Sequence, residues 1–454
     1  MTTVTKSIGT GYGSTGTGTV STNNTTTVTG TSTSFTSEFG SGTVQKTIRI
    51  DSVVYSIASV TSDTVLVLKA AADQINGSLP NTGAGEAFQI GTREYSTINA
   101  WEADLNSASL YSNGDTAVGE MYADSTFTGA QSTIENGSAI GGSSGHDLAL
   151  IKLTVHADSR HDGTAESGAL LKPTANSGHS MGIIRIAVDN VTIEWLDISM
   201  DSLDSRNTNF AIFHASGGGT TTIRNMLIHD KGGNPGSSGP GAIISNSAGA
   251  TDDIRYILNN IIYSIIETSG DSTSAMNMRA FQGNLHIYNN TIYLIQANGG
   301  SKDAVGIRCG NDADTTANIK NNIVSNLVAS DKKYGYLIDN GSATLNSANN
   351  LSDDTVDSAY SAEDFGRSAN DSTGLTGKTL AEISFVSTSA GSEDFHIDED
   401  SDCVDAGADL GTTGGVEIDI NGRNRDSNGD TWDIGAHEFA VDADTGAAFI
   451  MFVD

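Results

Sequence analysis

Ile257-Leu-Asn-Asn-Ile-Ile262, Ile287-Tyr-Asn-Asn-Thr-Ile292 and Ile319-Lys-Asn-Asn-Ile-Val324 are one phrase written three times. Outward from it, earlier copies stand at Ile193-Glu-Trp-Leu-Asp-Ile198 and Ile223-Arg-Asn-Met-Leu-Ile228. A worn one follows at Ser347-Ala-Asn-Asn-Leu-Ser352. Counted at the third position (Trp195, Asn225, Asn259, Asn289, Asn321, Asn349), the copies are 30, 34, 30, 32 and 28 residues apart. A period in that range, with no long helical pattern inside it, is the mark of a solenoid.

The repeat is β. Ile-x-Asn alternates with period two, Ile, Val, Thr and Tyr dominate, and Gly, Ser and Asp separate the copies. A second column lies upstream in each copy: Phe213-His214, Ile244-Ser245, Met278-Arg279, Ile307-Arg308 and Ile338-Asp339. Each coil therefore carries at least two strands, with an apolar residue inward and a polar one outward. The fold class is all-β, a parallel β-helix. Asn tolerates the left-handed backbone of a sharp corner, and its amide can bond to the Asn one coil away. The column Asn225, Asn259, Asn289, Asn321 and Asn349 is thus expected to be a structural ladder.

The composition suits a turn-rich β protein: 454 residues with 52 Gly, 4 Pro and 17% charged residues. Lys+Arg 23 against Asp+Glu 55 gives −32, which argues against nucleic-acid backbones and anionic membrane surfaces. Cys309 and Cys403 read as two buried free thiols, without metal-ligand spacing. Met1-Thr-Thr-Val-Thr-Lys has no apolar h-region after a charged start, and no run of 18 apolar residues exists for membrane insertion. An extracellular-looking composition without an export signal is explained if the protein leaves the cell inside a virus particle.

Residues 1–92 read as a separate module of short strands and tight turns, a small β-barrel or sandwich. Residues 93–148 are a linker with one amphipathic helix near Ser96–Leu110. Ser96 or Thr97 caps it, and Ile98, Trp101 and Leu105 share a face, as expected of a plug over an open solenoid end. The β-helix is assigned to 149–375, a closing segment to 376–440 and an apolar tail to 441–454. In that tail Phe449, Ile450, Met451, Phe452 and Val453 are expected to seek burial in an assembly.

Two stretches carry resemblances. Gly18-Thr-Val, Thr27-Val-Thr-Gly-Thr-Ser-Thr-Ser-Phe-Thr, Ile48-Arg-Ile and Tyr55-Ser-Ile-Ala-Ser-Val-Thr-Ser-Asp-Thr resemble, over about 60 residues, a β module recurrent in tailed-bacteriophage virion proteins. Asp394-Phe-His-Ile, Ser401-Asp-Cys-Val-Asp-Ala-Gly407, Asp419-Ile-Asn-Gly-Arg-Asn-Arg and Asp433-Ile-Gly-Ala-His-Glu-Phe439 resemble the closing segment of right-handed parallel β-helix proteins of the pectate-lyase-like superfamily. Together they imply a virion structural protein: a tail spike, tail fibre or capsid-attached fibre. Its expected partners are other virion proteins and host cell-surface polysaccharide, and its expected state a homotrimer on an extracellular particle. The alternative on the same fold is a glycan depolymerase, either a polysaccharide lyase or a glycoside hydrolase. No catalytic residue stands out, because the carboxylates of the rungs are scattered.

His214, Arg279 and Arg308, in the outward column, are the glycan-binding candidates. Arg279 and Arg308 are expected as neighbours that could grip an anionic sugar, against the plainer role of pairing with Asp303 or Asp339. Asp426, Asn428 and Asp430 form D-x-N-x-D, half of a calcium loop. It lacks the twelfth-position Glu, since His437 stands there. No other cofactor is expected. Tyr263 and Tyr293 occupy equivalent positions and should stack.

Overall fold

The computed structural model describes residues 2–439 except 10–14, 44–46, 52, 72–77, 91–92, 124–125, 130–131, 143–146, 175–181, 202–209, 216–218, 232–240, 246–252, 268–271, 280, 299, 310–314, 339–343, 354–374, 377 and 429–430. The apolar run Phe449–Val453 and Asp339 therefore lie outside the described residues. Three parallel sheets wrap one core, and each complete coil gives them one strand apiece. Sheet 1 has nine strands, from Thr3–Ile8 to Thr344–Ala348. Sheet 2, entered next, has eight, from Leu170–Leu171 to Leu375–Thr376. Sheet 3 has seven, from Ser132–Ile134 to Lys333–Ile338.

The repeated phrase is the passage from sheet 1 to sheet 2. Its first residues, Ile193, Ile223, Ile257, Ile287 and Ile319, are direct partners on successive sheet 1 strands. Its last, Ile228, Ile262, Ile292 and Val324, are partners on sheet 2. These columns meet in one buried core, where each such side chain contributes about 1.5–3 kcal/mol. The third position turns the corner with φ between 52° and 67° from Trp195 to Asn349, as left-handed backbone at Asn permits.

The amide ladder, however, stands one residue later. Asn260, Asn290, Asn322 and Asn350 are fully buried and joined from coil to coil. Each Nδ2 of the first three donates to the next Oδ1 at 2.9 Å. Each Oδ1 of the last three also accepts the preceding ladder residue's backbone N–H, at 3.0–3.1 Å. Four of the third-position amides turn outward instead, and their partners are carbonyls of the closing segment. Asn225 and Asn259 both donate to Ile418, Asn321 to Ala408 and Asn349 to Ala406. The closing segment thus runs back along the outside of the corner, from the last coils toward the first.

Its anchor is Arg425, 1% exposed, which donates to Glu438 at 2.6 Å and to the carbonyls of Gly435 and Ala436 at 2.9 and 3.0 Å. The same segment covers the outside of sheet 2. Phe395 packs on Tyr263 and Tyr293, its ring centre 4.9 and 5.0 Å from theirs. Tyr263 and Tyr293 are register partners, but the ring stacked on Tyr263 is that of His229, at 5.2 Å, and Phe395 bridges the two tyrosines. Cys309 and Cys403 are both buried, and they are not joined in a disulfide.

At the other end, Ile98–Ala103 is the capping helix. Thr97 Oγ1 accepts from the Ala100 N–H, and Ile98, Trp101 and Leu105 enter the solenoid core beside Ile8. Gly119 allows this approach, since a Cβ there would lie 2.8 Å from the Trp101 ring. The span 1–92 needs a correction: its first strand, Thr3–Ile8, pairs in parallel with Thr116–Met121 and is a solenoid rung. The antiparallel sheet of eight strands that follows has its own core, around Val20, Phe35, Ile48 and Phe88. It is an insertion. Gly9 donates to the Tyr95 carbonyl at 2.9 Å and Lys6 pairs with Glu94 at 2.8 Å, so the chain leaves and re-enters at one place.

Candidate functional site: the outer face of sheet 1

The three outer faces differ in chemistry. Sheet 2 is covered by the closing segment. Sheet 3 presents Phe213, Ile244, Asn277, Arg308 and Leu337 as one register column, with buried Phe210, Val305 and Tyr334 beside it. Sheet 1 turns mostly polar side chains outward. Along its middle most are half-exposed, while at the strand ends Leu258 and Tyr288 are buried against Val416 and Trp432 of the closing segment.

The sheet 3 register corrects the expected glycan column. Arg308 stands beside Asn277 and Leu337, not beside Arg279. Arg279 is exposed, one residue past the strand Thr273–Met278. His214 pairs with Ser245 and is 2% exposed. Burial drives its pKa down to about 3, so it is neutral, with Nε2 3.3 Å from the Thr221 hydroxyl. The trio is therefore not one surface. The physical reason is parity: Met278, Cys309 and Ile338 face inward while neighbouring Leu337 faces out, so apolar residues occur on both sides of these strands. In the D-x-N-x-D phrase, Asp426 Oδ1 accepts from the Trp432 indole N–H at 2.9 Å, and Asp430 lies outside the described residues. Among the described residues no group of three or more His, Cys, Asp or Glu could hold a metal ion.

On sheet 1 two outward columns run along the solenoid. The middle one is Lys152, Thr192, Thr222, Tyr256, His286, Asn318 and Asn346. The strand-end one is Glu194, Arg224, Leu258, Tyr288 and Lys320. Toward the C-terminal coils the face is uncharged but for Lys320. The Tyr256 and His286 rings stack at 4.8 Å, and His286 Nδ1 lies 2.8 Å from the Tyr288 hydroxyl. Asn346 Nδ2 donates to Asn318 Oδ1 at 3.0 Å. Burial, then the Lys320 charge, lowers the His286 pKa, which keeps the imidazole neutral at pH 7. Rings, hydroxyl, imidazole and amides thus stand in file, one set per coil of about 4.8 Å.

Toward the N-terminal coils the same face is charged. Glu194 is 1% exposed and accepts from Lys152 Nζ at 2.6 Å, Thr154 Oγ1 at 2.7 Å and Arg224 Nε at 2.7 Å. Burial opposes its charge, but Arg224 and Lys152 outweigh burial and hold the carboxyl below its ordinary range. Arg160 lies close enough to feel the charges of Glu194, Arg224 and Glu120, with its guanidinium 4.3 Å over the Trp195 ring. Arg93 lies 3.5 Å over the Tyr122 ring, whose hydroxyl donates to Glu120 at 2.7 Å and whose other neighbour is His156, stacked at 4.8 Å. Sequence reasoning missed this corner. The available signal was Trp195, the one large ring in a column otherwise made of Asn.

No protein-family model and no curated protein matches the chain.

Proposed function

We propose that the chain is a display protein of a bacteriophage particle, a tail spike, tail fibre or capsid-attached fibre. In this reading its solenoid holds host surface polysaccharide along the outer face of sheet 1 without cleaving it. The observation that carries the glycan part is the Tyr256–His286–Asn318–Asn346 file, a polar, ring-bearing and partly exposed stripe with one set of donors and acceptors per coil. Rigid β scaffolding supports it, since a preordered surface loses little entropy on binding an extended chain. The particle part rests on the likeness of the inserted module to virion modules. The homotrimer and the partner virion proteins belong to the same proposal, with Phe449–Val453 as its assembly element.

Glu194, the carboxylate of the face held most firmly, is committed to three donors, so its arrangement supports anchoring over proton transfer. The test is incubation of the purified chain with capsular and lipopolysaccharide preparations from candidate hosts. Retention of polysaccharide with no new reducing ends and no unsaturated uronates is the expected result. Released oligosaccharides would instead favour the depolymerase, and immunogold labelling that leaves phage particles bare would remove the virion assignment.

A further inference from the structure

We infer that the charged corner at the N-terminal end of sheet 1 is a subsite for the carboxylate of an acidic sugar, gripped by Arg160; this deepens the glycan-binding reading and rests on it. The first support is charge balance. Lys152, Arg160, Arg224 and Arg93 gather there against three carboxylates, Glu194, Glu120 and the exposed Asp158 beside His156, in a chain whose formal charge is −32. Glu194 is saturated by Lys152, Arg224 and Thr154, and Glu120 accepts from Tyr122. The corner thus keeps a cationic surplus where the overall charge would favour the opposite.

The second support is the state of Arg160 itself. Its Nε donates to the Val155 carbonyl at 3.4 Å and its plane lies over Trp195, yet its terminal nitrogens make no hydrogen bond or ion pair among the described residues. Trp195 is 3% exposed and fixed at the left-handed corner, with His161 6.0 Å away on another side. The guanidinium is therefore held in one orientation with its outer donors unspent. A planar fork of that kind matches a carboxylate in bidentate fashion, and the ordering cost is already met by the fold.

Continuity is the third support. The middle column runs from Lys152, which pairs with Glu194, through Thr192 and Thr222 to Tyr256 and His286, so an extended chain on the Tyr256–His286 stripe reaches the charged corner without leaving sheet 1.

The experiment is calorimetric titration of the full chain with a glucuronate-containing hexasaccharide and with its carboxyl-reduced counterpart. Wild type should bind the acidic form about 10- to 100-fold more tightly, and added salt should erode that preference. Arg160→Gln should abolish the preference while leaving the affinity for the reduced form unchanged. Arg160→Lys, which keeps charge but loses the fork, should fall between. Arg279→Gln, on sheet 3, should behave as wild type. Equal affinity of wild type for the two forms overturns the inference but leaves glycan binding standing. An acidic preference that survives Arg160→Gln also overturns it, and binding of neither form removes both readings together.

Discussion

Removing one rung of the buried amide ladder should cost far more than removing the corner amide beside it. In Asn290, Nδ2 donates to the Ile257 carbonyl at 2.9 Å and to Asn322 Oδ1 at 2.9 Å, while Oδ1 accepts from the Asn260 backbone N–H at 3.1 Å and from its Nδ2 at 2.9 Å. Asn290→Ala strands the Asn260 N–H and one of that residue's amide donors in a fully buried place. At about 1–3 kcal/mol for each of the two stranded groups, the cost comes to about 2–6 kcal/mol. Asn289 gives the contrast: it is equally buried, but neither side-chain atom has a hydrogen-bond partner among the described residues. Asn289→Gly removes no bond, and glycine accepts φ 54° without strain, so its cost should stay near the 0.5–1 kcal/mol of added chain entropy, about 1 kcal/mol at most. Urea denaturation of both variants, compared at matched slope, reads the two numbers. Asn290→Ala within about 1 kcal/mol of wild type, or a larger loss for Asn289→Gly, would refute the assignment of the ladder.

Three other outcomes follow from the same geometry. Arg425→Met should release the closing segment, at about 3–5 kcal/mol, because it leaves the Gly435 and Ala436 carbonyls unmet beside a buried Glu438. Limited proteolysis should then cut within 376–440 before it cuts any solenoid strand. Burial opposes the His229 imidazolium, but Asp197 at 2.8 Å and Asp230 at 2.7 Å outweigh it and raise the pKa to about 9. With the folded value above the ordinary 6.5, this contribution is full below about pH 6.5 and is lost as pH rises through about 9. Denaturation midpoints should therefore fall over that window in wild type and change less in His229→Gln. Excision of residues 10–93 with a short Gly-Ser join should leave the solenoid's circular dichroism and protease resistance intact, since Gly9 and Tyr95 are already hydrogen-bonded and the insert has its own core.

The coil was legible because the core demands it: one Ile column per sheet fixes both period and pairing, and the sequence repeats that demand five times. The corner was legible in backbone terms, since left-handed φ favours Asn. Which Asn forms the ladder was not. Both positions of the Asn-Asn pair are polar and largely buried, and the choice depends on the closing segment, about 60–160 residues away, taking the first amide at Asn259, Asn321 and Asn349. Arg279 and Arg308 were misplaced by the parity of sheet 3, where apolar residues line both faces. Thr3–Ile8 looks like any other Val/Thr strand, and nothing local distinguishes a solenoid rung from the first strand of an inserted module. Trp195 was visible as an exception, but its meaning needed Arg160, which lies in the preceding coil, 35 residues upstream.

The central claim is that the outer face of sheet 1 is where polysaccharide lies. Its most direct measurement is a crystal structure of the full chain soaked with the hexasaccharide that titration shows it to bind. Sugar density should lie along the Tyr256, His286 and Asn318 file, with one sugar unit per coil. Density on sheet 2 or sheet 3, with that file bare in crystals whose sheet 1 is open to solvent, would contradict it.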